Sequence, residues 1–326
     1  MRRTLLALVC LSCLGCPITA APLATAGLPT QAVRHFIAHM VRVHHFDAQA
    51  LTALFRKARL LPGVIALIHH PYEALPWRRY RQLFVNPEKI RLGKSWLRAH
   101  AQSIHQEEQQ FGVPGSIIAA ILGVETNYGR ITGEIPALDS LSTLAFGDPS
   151  RGAFFRHELS GFLRLCRREH FNPAALRGSY AGALGIPQFM PNTYLRYAIG
   201  TAPGRRANLF TSMKDAIDSV ARYLRAKGWQ PGQPVAIEVA LAPNRPPPGP
   251  DLLETPTHPR ALRRAGLLIP RRLSNQLTVE LVTRPGLTDT HYWLTLPNFQ
   301  SLMAYNPSVN YTMAVFELAL HLAGPS

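Results

Sequence analysis

The chain has 326 residues, with 35 Lys and Arg against 19 Asp and Glu, a formal charge of +16, and 47% apolar residues. That apolar fraction supports packed cores and excludes a chain disordered throughout, and the length suits about two domains of roughly 100–200 residues. The charge points to an anionic partner (nucleic acid, an anionic membrane or an acidic polymer) unless the arginine excess is background composition.

Residues 1–26 have the layout of a secretory leader. Met1 to Arg3 is basic, Leu5 to Leu14 is an apolar run, and Ala24-Thr25-Ala26 supplies a cleavage signal. The run is too short for a spanning helix, and no later run approaches the roughly 18–20 residues that one needs. Cys13-Leu14-Gly15-Cys16 has the form of a bacterial lipobox with Cys where Leu is usual. Cys16 is therefore a candidate lipidated residue and outer-membrane anchor. Removing the leader takes Arg2 and Arg3 from the charge of +16 and leaves +14. Cys166 then remains as the lone cysteine, expected as a small buried hydrophobe, so stability must come from the core. An exported protein does not meet the chromosome, and no interleaved basic–aromatic strand motif is present, so a nucleic-acid partner is not expected.

From Thr30 to about Gln110 the pattern is helical. Asp47 is placed to cap a helix over Ala48–Leu61, Pro62-Gly63 breaks it, and a further helical stretch precedes Pro71. Trp77, Tyr80 and Phe84 read as packing aromatics, and Trp96–Phe111 as one more helix. The pairs His44/His45 and His69/His70 are adjacent in sequence, share no helix face and have no carboxylate at ligand spacing, so they read as surface residues. Residues 112–234 are again mainly helical. After Gly232 the texture changes: Val235–Leu241 alternates like a strand, Pro243–Pro250 excludes helix, and Leu277–Val282 and His291–Leu296 again read as strands. A final helix spans about Tyr311–Leu322. The expected organisation is a helical N-terminal domain (27–111), a helical core (112–234 plus 298–326) and a small β-containing insertion (235–297).

Three segments could carry chemistry. In Gly112–Arg130 a strongly aliphatic helix, Ile117 to Val124, ends at Glu125. A carboxyl on so much apolar surface is costly to ionise, which suits a general acid; the alternative is a surface Glu in a last helical turn. Gly178–Pro191 (GSYAGALGIPQFMP) is rich in Gly and carries no charge, and no Asp or Glu occurs from His170 to Lys214. Ser179 and Gln188 offer neutral hydrogen-bonding groups, Tyr180 and Phe189 flat faces. That set suits an N-acetylated sugar, or equally a tight helix-packing turn. Tyr305-Asn306-Pro307-Ser308, with Tyr311, marks a helix start or the edge of a sugar groove.

Together these segments resemble the membrane-bound lytic transglycosylase B family of bacteria. The likeness rests on the FGVP entry, GVET at Gly123, Leu138 to Leu141, GSYAGALGIPQFMP, Tyr223 with Lys227-Gly228-Trp229, and Leu296 to Phe299 with Tyr305-Asn306. It implies a mainly α protein: a lysozyme-like helical core with a helical N-terminal domain and a small β insertion. It implies a periplasmic enzyme that cleaves the MurNAc–GlcNAc bond of peptidoglycan without water, leaving 1,6-anhydro-MurNAc ends. By the resemblance Glu125 is the single catalytic glutamate, acid then base. Ser179 and Gln188 hold N-acetylated sugar, and Tyr223, Tyr305, Asn306 and Tyr311 line the cleft. Arg151 is one member of a basic pair whose other member is here Ser150. Many family members carry an Asp-rich calcium loop after the segment ending at Tyr197. Residues 198–210 here read AIGTAPGRRANLF, and calcium takes roughly six to eight oxygen ligands, so no metal or cofactor is expected. The alternatives are a hydrolytic muramidase on the same fold and a non-catalytic peptidoglycan-binding protein.

Overall fold

A computed structural model describes residues 30–69, 74–201, 206–285 and 290–324. The leader with Cys16, and His70, lie outside them. The chain begins with helices α1 (Thr30–His44), α2 (Ala48–Lys57), α3 (Pro62–His69), α4 (Trp77–Phe84), α5 (Pro87–Ala99) and α6 (Ala101–Phe111). Asp47 caps α2 as expected, its side chain accepting from the Ala50 amide at 2.6 Å. Two readings are corrected here. Helix α2 stops at Lys57 and not at Leu61, and Pro62 begins the next helix, α3, because the first turn of a helix has no use for the missing N–H. The expected helix over Trp96–Phe111 is two helices, since His100 leaves helical geometry at φ −114° and ψ 19°.

Helix α7 (Gly115–Thr126) is buried almost all round, with Ile118 to Leu122 fully inaccessible, as a helix apolar on every face must be. Each such Ile or Leu contributes about 1.5–3 kcal/mol. After it come β1 (Ile135–Pro136), α8 (Ala137–Gly147), α9 (Gly152–Glu169), β2 (Arg177–Gly178), α10 (Pro191–Tyr197) and α11 (Met213–Ala226). Strands β1 and β2 pair as a short antiparallel ribbon. Cys166, on α9, is 3% exposed, and burial pushes its thiol up to about 12.

The β-containing stretch consists of β3 (Ala236–Leu241), α12 (Pro259–Arg264), β4 (Leu267–Leu268), β5 (Leu281–Pro285) and β6 (Thr290–Thr295), with an antiparallel sheet in the order β4-β3-β6-β5. The sequence pattern did not show α12 or β4. The strand expected from Leu277 starts at Leu281; before it, Val279 makes only an isolated bridge to Thr257. Helices α13 (Pro297–Met303) and α14 (Val309–Ala323) complete the fold.

One sheet face packs on a local cluster of Val239, Leu281, Leu294 and Leu262. The other face, carrying Ala236 and Val282, joins the main core, which runs continuously from Val33 to Leu322. Among the described residues no helix is long and apolar enough to cross a membrane.

Candidate active site

Glu125 lies in the last turn of α7 and is 4% exposed, so the reading of a surface glutamate is excluded. The helix ends there because Asn127 and Tyr128 adopt left-handed backbone, at φ 50° and 62°. The Tyr128 and Asn127 amides then turn back to the Leu122 and Gly123 carbonyls. Tyr128 folds over the helix so closely that a Cβ on Gly123 would stand 2.7 Å from its ring, which accounts for glycine at the head of GVET. Lys89, 6% exposed on α5, donates to the Gly123 carbonyl at 2.8 Å and to Asn127 Oδ1 at 3.3 Å. A buried cation thus sits at the negative end of the α7 dipole, one turn from the glutamate.

The uncharged loop 178–190 is fastened beside Glu125. Thr126 donates its hydroxyl to the Ile186 carbonyl at 2.8 Å, and Ser140 donates to the Tyr180 carbonyl. Gly185, at φ +69°, packs so tightly that a Cβ would lie 2.5 Å from the Leu209 carbonyl oxygen. Ser179 Oγ accepts from the Ala181 and Ala183 amides and so closes the turn from within. Gln188, at φ 51°, donates Nε2 to the Thr132 and Gly185 carbonyls at 2.9 and 2.7 Å.

The opposite wall is aromatic. Ser308 caps α14 by accepting from the Tyr311 amide, which fixes Tyr311 in the first turn. The Tyr311 hydroxyl donates to Glu125 Oε1 at 2.6 Å. Tyr305 stacks parallel to Tyr311, with centroids 6.4 Å apart, and donates to the Pro187 carbonyl at 2.6 Å. Tyr223 and Phe189 complete the group at 5.6 Å, and Tyr223 donates to the Ala304 carbonyl. Burial raises the Tyr223 hydroxyl above its ordinary value; burial first, then the neighbouring Glu125, raises Tyr311 well above it. Both remain neutral donors at any working pH.

Glu125, Gln188, Tyr223 and Tyr305 line one pocket together with Phe189, Met190 and Thr193. Tyr311 stands behind the glutamate. Asn306, 1% exposed in the turn before α14, and Ser179, 3% exposed within its loop, are not among the residues that line this pocket. Arg151 also stands outside it, its guanidinium 5.3 Å over the Phe155 ring. Asp148 holds that corner by accepting from the Ser150 amide and hydroxyl and from the Arg151 amide. Ser150, in the position of the missing basic partner, thus takes a structural role. His69 reaches Asp148 at 3.3 Å, which corrects its reading as a histidine without a carboxylate partner. Met190, Thr193 and Lys89 escaped the sequence reading. Met190 stands inside the quoted segment 178–191 but carried no signal of its own.

A helical core with one buried carboxylate against an aromatic wall defines a class of glycan-cleaving protein, and residues 29–320 match the transglycosylase SLT domain family. The chain belongs to this family and is a lytic transglycosylase, an enzyme. It is 36% identical over 300 residues to the membrane-bound lytic murein transglycosylase B of Escherichia coli K12, covering 89% of this chain and 82% of that protein. The solved structure of E. coli lytic transglycosylase SLT35, in complex with calcium, superposes with a TM-score of 0.82 at 36% identity, covering 91% and 94% of the two chains. The fold is thus lysozyme-like, as the resemblance implied. SltB3 of Pseudomonas aeruginosa, solved with NAG-NAM-pentapeptide, gives 0.78 at 28% identity over 91% and 80%.

In segment 198–210, described at 198–201 and 206–210, the described groups converge on one carboxylate. Asp215, fully buried on α11, faces the 198–210 segment, and its carboxylate is taken up by the amide and hydroxyl of Thr201 and the amide of Asn208. Protein donors, not acceptors, converge there. Among the described residues no group of three or more His, Cys, Asp or Glu is arranged to hold a metal.

Proposed function

We propose that this enzyme cleaves the β-1,4 bond between MurNAc and GlcNAc in peptidoglycan without water, leaving a 1,6-anhydro-MurNAc end, with Glu125 as acid and then base. The observation that carries the reading is that Glu125 is the one carboxylate among the residues lining its pocket. The other acids nearby in sequence stand elsewhere: Glu134 is exposed and outside the pocket lining, Asp139 accepts from the Arg59 amide, Asp148 from the Ser150 and Arg151 amides, and Glu158 from the Asn192 amide. A two-carboxylate glycosidase needs its second group about 5–9.5 Å from the first, across the scissile bond.

In the proposed sequence the protonated Glu125 donates to the glycosidic oxygen as the C1–O bond breaks. The 2-acetamido group of MurNAc stabilises the cationic sugar. Glu125, now ionised, takes the proton of the C6 hydroxyl as that oxygen bonds to C1, and so regains the acid form. The first step uses the acid form of Glu125, and the Tyr311 hydroxyl, donating to Oε1 at 2.6 Å, is placed to stabilise the ionised form between the two steps. Gln188 and the ring faces of Tyr223, Tyr305 and Phe189 supply neutral contacts suited to N-acetylated sugar. Ser179, Asn306 and Arg151 would act from outside the pocket, Ser179 and Asn306 by holding its loops and Arg151 on a more distant part of the chain. The likeness to a membrane-bound relative supports export and a periplasmic location, with Cys16 as the proposed lipid anchor.

Mass spectrometry of digested sacculi tests the chemistry. The expected fragments are anhydro-muropeptides; fragments heavier by one water would establish hydrolysis instead, and intact glycan would leave a binding protein.

A further inference from the structure

The register of the sheet brings Glu238, Val282, Arg284, His291 and Trp293 onto one face, since Glu238 pairs with Trp293, Val282 with Trp293, and Arg284 with His291. That face looks toward α4 and α14. With Trp77, Arg78, Arg81 and Gln82 of α4 and Glu317 of α14 it encloses a cleft of about 520 Å³, separate from the Glu125 pocket. The volume lies within the range of about 300–1,000 Å³ common for ligand sites. Glu317 is six residues beyond Tyr311 on α14, so the cleft lies about 9 Å further along that helix.

At its floor is Arg284, 8% exposed, with its guanidinium 5.2 Å over the Trp77 ring. Only one corner of the guanidinium is used: Nη1 donates to the Thr283 carbonyl at 2.7 Å and to Glu254 at 3.2 Å. Nε is buried without an acceptor, and among the described residues no hydrogen bond from Nη2 is found. These two N–H groups form the side edge of the guanidinium, the fork that pairs bidentately with a carboxylate. Leaving such donors without partners is costly, more so for a charged group than for a neutral one. Within the cleft Arg81 pairs with Glu317 and His291 with Glu238, and Arg78 adds a further positive charge to the lining.

We propose that this cleft is a second binding site, which takes the carboxylate of a short peptide on the unpaired edge of Arg284 at its floor, with the peptide lying between Trp77 and Trp293. Three arginines, Arg78, Arg81 and Arg284, against Glu238 and Glu317 leave the cleft a single formal positive charge, favouring a monoanionic carboxylate over a phosphate dianion. The volume exceeds what a lone carboxylate fills. The peptide class that suits the enzyme is the stem peptide of peptidoglycan; this identification rests on the function proposed above, whereas the carboxylate seat does not. The site would hold a wall stem beside the catalytic groove and so favour peptide-bearing glycan over naked strands.

The full chain, labelled with 5-fluorotryptophan, is titrated with a synthetic stem tetrapeptide bearing a free terminal carboxylate, with its terminal amide, and with inorganic phosphate. Fluorine resonances are assigned by Trp→Phe variants. The Trp77 and Trp293 signals should move with the acid peptide while those of Trp96 and Trp229 stay. The amide and phosphate should bind at least about tenfold more weakly. Arg284→Gln should lose the same tenfold, with Gln188→Ala binding as the native chain does. Still Trp77 and Trp293 signals at millimolar peptide, equal binding of acid and amide, or preference for phosphate would overturn the proposal. The wild-type titration needs no variant to fold. Cleavage of peptide-free glycan is scored in parallel, so failure of the cleft is distinguished from failure of the proposed reaction.

Discussion

Replacing Glu107 with Gln should stabilise the protein above neutral pH and leave it unchanged in acid. Glu107, on α6, is 3% exposed and faces Asp218 of α11, with Lys214 Nζ 3.8 Å away and bonded to Asp218 at 3.0 Å. Burial first, then the charge and hydrogen bond of Asp218, push the Glu107 carboxyl from its ordinary 4.5 up to about 7, against the pull of Lys214. An acid that holds its proton more tightly when folded contributes stability below its unfolded value. That contribution disappears as pH rises from about 4.5 through about 7. The 2.5 units between those values, at ~1.4 kcal/mol each, set a ceiling near 3 kcal/mol. The attraction of Lys214 offsets part of this, so about 1–3 kcal/mol is expected. At ~2–4 °C per kcal/mol that is a gain of several degrees. Melting temperatures of the native chain and Glu107→Gln, followed from pH 4 to pH 8.5, should coincide in acid and diverge through neutrality, the variant melting higher. Parallel curves across the whole range would refute the reasoning.

Two further changes probe the site and its surroundings. Tyr311→Phe removes the donor to Glu125 and should lower turnover about 10–100-fold at similar KM, the equivalent of one hydrogen bond to a charged group; unchanged turnover in a glycan-release assay would contradict the role of that hydroxyl. Asp215→Ala removes the acceptor for Thr201 and Asn208 and should lower the melting temperature in a way that calcium does not restore. A saturable calcium-induced rise in the melting temperature of the native chain would show that a metal site exists after all.

The parts of the site visible in sequence were those whose chemistry is local. Glu125 stood out because an aliphatic helix ends on it, and loop 178–190 because glycine and amide residues crowd a charge-free segment. Ser308 before an apolar run marked the start of α14 for the same reason. What stayed hidden depends on contacts between distant segments. Tyr311 meets Glu125 across 186 positions, Lys89 caps α7 from another helix, and Thr193 reaches the pocket only because α10 follows the loop closely. In the fold, the helix cap at Asp47 was legible, whereas the break at His100 was not, because nothing in its neighbours' apolar spacing interrupts the helical pattern. The side edge of Arg284 is a property of register: it exists only once β5 and β6 are paired and turned toward Trp77.

The opening charge of +16 accords with a polymer whose stems carry carboxylates, but the reaction rests on one residue. Glu125→Gln keeps the size of the side chain and its ability to accept from Tyr311, and removes the transferable proton. Purified sacculi incubated with the native chain and with this variant, with soluble muropeptides quantified and melting temperature and sacculus binding measured alongside, give the most direct test. Release should fall by about a thousandfold or more, on the scale of losing both the acid and the base role at ~10²–10⁴ each, with melting and binding close to native. Near-native release by Glu125→Gln would contradict the single-glutamate account.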